Sequence, residues 1–139
     1  MKTTLLNEKR NGAGTDSMQI ESESALCKTT LQGLRDLGSE MGPSFFPQLL
    51  ETFEHDAVER LAVLRSAVAG NEPGRIYREA HALRGASLTI GARGMAEICK
   101  QLENLGTAQN MARAPEELAL LEREFALVKN EIKQESLIP

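Results

Sequence analysis

The sequence predicts an all-α protein: an antiparallel up-down four-helix bundle with an additional short N-terminal helix. Three observations carry this. Apolar residues recur every three to four positions from residue 25 onward, the period of one helix face. No convincing strand pattern appears anywhere. Glycine, proline and asparagine punctuate the periodic stretches in short clusters, so consecutive helices are close neighbours and run antiparallel. The 139 residues suffice for one domain, and no internal repeat divides them.

Residues 1–24 are polar and aperiodic and read as a disordered arm or linker. The helical bundle is expected over 25–134, with a frayed tail at 135–139. Leu31, Leu34 and Leu37 give the first helix a short stripe that ends at Gly38. The second helix is expected over 44–69, with Phe46, Leu49, Phe53, Ala57, Leu61, Leu64 and Val68 on one face. At about 39 Å it suits a bundle rod better than an α/β crossover. Asn71-Glu72-Pro73-Gly74 breaks the chain, and proline fits the first turn of the next helix. This third helix is expected over 74–90, ended by Gly91 in a left-handed cap. The fourth, over 92–105, turns Met95, Ile98, Cys99 and Leu102 inward and stops at Gly106. The last opens near Asn110, tolerates Pro115 only in its first turn, and packs through Leu118, Leu121, Phe125, Val128 and Ile132.

Composition excludes several functions. A formal charge of −4, without a cationic stripe carrying aromatics, argues against non-specific nucleic-acid binding. No run of eighteen apolar residues exists to cross a membrane, and MKTTLLNEKR lacks the apolar core of a secretory signal, so a cytoplasmic location is expected. Cys27 and Cys99 fit no zinc or CxxC spacing and read as free thiols in a reducing compartment. The two histidines fall on separate faces, which makes a poor metal site; HExxH, GxxxxGK[ST] and GxSxG are absent. No cofactor or metal is therefore expected on this chain. Monomer is the default state, with Phe45 as an exposed apolar position for association.

The two histidines separate by helical geometry. With Ile76 at the core centre, Ala80, Leu83, Ser87 and Ile90 stay on the core side, whereas His81 lies about 140° and Gly85 about 180° away. Arg84 and Leu88 flank the imidazole, and Arg78 lies one turn before it. This small outward region holds an imidazole, two guanidinium groups suited to phosphate oxygens, an alkyl side chain and a bare glycine. An interior helix glycine costs about 1 kcal/mol relative to alanine, and here it leaves the histidine approachable. From the residues alone, His81 is either an incidental surface histidine or a nucleophile offered to another protein. His55 also points outward, but it sits between Glu54 and Asp56 with no clearing glycine and reads as a solvated surface group. Ser87 is expected to bond its own helix, Cys99 to pack, and Glu97 and Glu103 to be surface carboxylates.

The stretch HALRGASLTIGARGMAEICKQLENLG, residues 81–106, resembles the histidine-containing phosphotransfer domains of multistep phosphorelays. His81, Leu83, Gly85, Ser87, Gly91, Ala92, Cys99, Leu102 and Glu103 match the family pattern, and the approach LETFEHDAVERLAVLRSAVAGNEPGRIYREAH is also similar. The resemblance covers about 27–133. Arg84 stands where the family most often has lysine, and Ala86 where serine is frequent.

The resemblance implies that His81 accepts a phosphoryl group from a receiver-domain aspartate and passes it to another receiver aspartate. His81 is then the reacting residue, with Arg78, Arg84, Gly85 and Leu88 as phosphate-contact or docking positions. It further implies receiver domains of response regulators or hybrid sensor kinases as partners, with Mg²⁺ in the partner and no autonomous kinase activity. The chain is then either free in the cytoplasm or the cytosolic domain of a larger membrane sensor kinase. A non-catalytic receiver- or enzyme-binding helical module is the alternative. An independent phosphatase or metal hydrolase lacks a residue assignable to orienting water.

Overall fold

The computed structural model describes residues 24–136; residues 1–23 of the expected arm and 137–139 of the expected tail lie outside them. Five helices succeed one another: α1 (Lys28–Met41), α2 (Phe45–Ala69), α3 (Pro73–Thr89), α4 (Arg93–Ala108) and α5 (Ala114–Ser136). The described residues contain no strand. α3 packs on α2 and α4, and α5 closes the bundle against α4 and α2, while α1 lies against α2. This is the all-α bundle with a short extra helix that the periodicity predicts.

One shared core explains the arrangement. α2 buries Phe46, Leu50, Phe53, Ala57, Leu61, Leu64 and Ala67, with Leu49 and Val68 at the margin of that stripe. α3 opens with Pro73 in its first turn and buries Ile76, Ala80, Leu83 and Ser87. Leu118, Leu121, Phe125, Val128 and Ile132 of α5 are all buried, and the Phe125 ring meets Phe53 edge-on at 6.4 Å. Each fully buried aliphatic side chain contributes about 1.5–3 kcal/mol relative to exposure.

Two glycines expected to end helices lie inside them instead. α1 continues through Gly38 and ends at Gly42, whose φ is 114°. Gly38 is buried, and a Cβ on it would stand 3.4 Å from the Phe45 ring and 3.7 Å from Phe46 Cβ. Phe45 is accordingly half-buried over α1, not the free apolar position the sequence suggested. α4 likewise passes through Gly106 to Ala108 and ends at Gln109 in the left-handed conformation. Gly106 is where α4 meets the start of α3: a Cβ there would stand 2.7 Å from the Pro73 carbonyl oxygen.

Gly91 does end its element as expected, with φ 81° in the turn between α3 and α4. A Cβ would also stand 2.8 Å from Thr30 Cβ, and the Gly91 carbonyl accepts the Cys27 N–H at 2.8 Å. The chain before α1 is held by Glu131 of α5, whose carboxylate accepts the N–H groups of Ala25 and Leu26 at 2.6 and 2.9 Å. α5 itself continues as helix through Ser136, two residues into the stretch read as frayed. There Arg35 of α1 pairs with Glu135 at 2.5 Å and lies over the Phe46 ring.

Candidate functional site

The outward face of α3 meets α4 at a cluster of four side chains. His81 leaves 62% of its side chain exposed, whereas Ile76, Ala80, Leu83 and Ile90 are sealed in the core. The helical turn alone produces this separation. Ser87 Oγ donates to the Leu83 carbonyl at 2.7 Å, so the buried hydroxyl is satisfied within its own helix.

Glu103 departs from its expected place on the surface. Its side chain is only 9% exposed, with Oε2 3.5 Å from His81 Nδ1 and 3.4 Å from Arg84 Nη1. The reason lies one turn further along α4. Gly106 lets α4 approach the start of α3 so closely that Glu103 is covered by it. A carboxylate so buried needs a counter-charge, and Arg84 supplies it. Arg84 therefore pairs with Glu103 through Nη1 while 35% of its side chain stays exposed. The carboxylate faces the Nδ1 edge of the ring, so Nε2 is the nitrogen turned away from it.

Tyr77 completes the cluster, one turn before His81. The two rings stack with centroids 5.7 Å apart and planes 12° apart. Its signal was the i, i+4 spacing of two aromatic rings on one helix.

The remaining candidates occupy the same exposed side. Gly85 is exposed, and a Cβ built on it meets nothing within 4 Å among the described residues. Leu88 is 52% exposed. Arg78 is exposed and forms no ion pair among the described residues. His55 lies apart on an open groove between α2 and α5, among Glu51, Glu54, Glu59, Lys129 and Lys133.

Cys99 and Cys27 are both free thiols. Burial and the nearby Glu103 push the Cys99 thiol up to about 12, against a smaller pull from Arg84. Hydrogen bonds from Thr30 hold the half-buried Cys27 thiol below its ordinary value. Among the described residues, no group of three or more His, Cys, Asp and Glu side chains could hold a metal ion. No described helix is long and apolar enough to cross a membrane.

Comparison with known proteins points one way. Residues 48–132 match the family model of the Hpt domain. The crystal structure of histidine-containing phosphotransfer protein B from Pseudomonas aeruginosa PAO1 is 33% identical. It aligns over 81% of this chain and 95% of its own, with a TM-score of 0.75. A histidine-containing phosphotransfer protein from maize also has a TM-score of 0.75, over 86% of this chain and 95% of its own; at 20% identity it speaks for the fold. No curated protein sequence matches the chain.

Proposed function

Since the chain belongs to the Hpt domain family, we propose that His81 is its phosphoryl-accepting residue and that the exposed face of α3 is where receiver domains dock. The observation that carries this is Gly85. Among the described residues, nothing occupies the space a side chain there would take. An interior helix glycine costs about 1 kcal/mol relative to alanine. The fold has no use for the bare backbone one turn beyond His81, whereas a docking partner does.

In this reading the Nε2 lone pair attacks the phosphorus of a receiver's aspartyl phosphate in line. The bond from phosphorus to Nε2 forms as the bond to the aspartate oxygen breaks, and the carboxylate leaves. The second transfer reverses the roles. This chain supplies the nucleophile, its orientation through Glu103, and a rigid platform. Arg78 and Leu88 contact the partner. Arg84 reaches the phosphoryl group only by sharing its charge between Glu103 and phosphate. Mg²⁺ belongs to the receiver's site. The domain works on the cytosolic side, free or within a larger sensor kinase.

A label-and-chase experiment tests the reading. Labelled phosphate from one phosphorylated receiver should enter this protein and then leave it for a second, unphosphorylated receiver. Stable complex formation with a receiver, with no label on this chain, would leave a docking module in place of a relay.

A further inference from the structure

We infer that Tyr77 is a positioning residue that holds the plane of the His81 imidazole for transfer, an inference resting on the phosphotransfer reading of that site. The stack is close to parallel, at 12°, with the centroids 5.7 Å apart. Burial does not force it. Tyr77 is 39% exposed and the His81 side chain 62% exposed, so each ring has solvent to move into.

What holds Tyr77 is its base. Gly106 of α4 lies so near that a Cβ on it would stand 3.2 Å from both the Cβ and the backbone nitrogen of Tyr77. The phenol has two torsions and is fixed at its root against a neighbouring helix, which makes it a stiff surface. Imidazole orientation needs two restraints. Glu103 meets the Nδ1 edge at 3.5 Å and decides which nitrogen turns inward. Tyr77 lies near-parallel and offset beside the ring and restrains the tilt of its plane. Together they leave the Nε2 edge open, and in-line attack depends on the direction of that lone pair.

Two other roles for Tyr77 make different predictions. A core-packing residue would be buried, and its loss would lower stability. A docking anchor, common for exposed tyrosines, would act on receiver affinity. A positioning residue acts on the rate of transfer inside the complex.

The test combines NMR spectra of the unphosphorylated protein with single-turnover transfer from a phosphorylated receiver. In the wild type, the ring protons of His81 should be displaced by the ring current of the phenol, with exposed His55 as internal reference. Tyr77→Leu should remove that shift, and Tyr77→Phe should keep it. Tyr77→Leu should slow the saturated transfer step by about three- to tenfold while the half-saturating receiver concentration stays within about twofold. Tyr77→Phe should restore the rate, because the ring and not the hydroxyl is at work.

An unshifted His81 in the wild type overturns the proposal without any variant. So does an effect on half-saturation alone, or a phenylalanine variant as slow as the leucine one. Failure of the wild type to take label, with the ring-current shift present, sinks the phosphotransfer reading and the positioning role with it. That pattern is distinct from the loss of the stack alone.

Discussion

The Glu103 carboxylate lies 3.5 Å from Nδ1 of His81, although the acid is only 9% exposed on one helix and the imidazole is largely exposed on another. The pairing makes Glu103 part of the site. Glu103→Ala should slow phosphoryl transfer by about tenfold or more, because the imidazole loses the group that orients it. It should cost only about 1 kcal/mol in urea denaturation, since Arg84 can turn to water. Glu103→Gln should recover most of the rate, its amide oxygen still facing Nδ1. Wild-type transfer in the alanine variant would remove Glu103 from the mechanism.

Gly85 separates fold from docking. Gly85→Leu places a good helix former in open space and should raise stability by about 0.5–1 kcal/mol. Receiver binding and transfer should fall by at least about tenfold. Thermal melting beside a transfer assay checks both, and undiminished transfer in the more stable variant would refute the clearance argument.

Glu124 should make stability depend on pH in a stated direction. Burial, with a further push from Glu131, raises its carboxyl above the ordinary range. A group so raised stabilises the fold in acid, and that contribution is lost as pH rises through the raised value. Glu124→Gln should therefore raise the melting temperature at pH 7 and give no gain below about pH 4. An equal gain at both pH values would contradict this.

The two thiols should react in order. Cys27 is half-buried and held low by Thr30, whereas Cys99 is buried and pushed up to about 12. Iodoacetamide on the folded protein at about pH 8 should modify Cys27 well before Cys99, as read by peptide mass spectrometry. Equal rates would mean that the core opens faster than the reagent attacks.

The helices and the outward direction of His81 were legible because both depend on the helical period, a local property of the chain. Ile76, Ala80, Leu83, Ser87 and Ile90 fall on the buried side where the period puts them. Gly38 and Gly106 read as stops in the sequence, since a glycine that ends a helix and one that admits a neighbouring helix look alike in one dimension. The burial of Glu103 stems from the second of these: it depends on how near α4 comes to α3, which Gly106 sets. The engagement of Arg84 comes with it, because a buried carboxylate draws the nearest guanidinium.

Acceptance of phosphate by wild-type protein and by His81→Gln, from the same phosphorylated receiver, tests the central claim most directly. The wild type should take one acid-labile, base-stable label that maps to the peptide carrying His81. The variant should keep its helix content and take none. Equal labelling of the two proteins, or wild-type label on any other residue, would contradict the account.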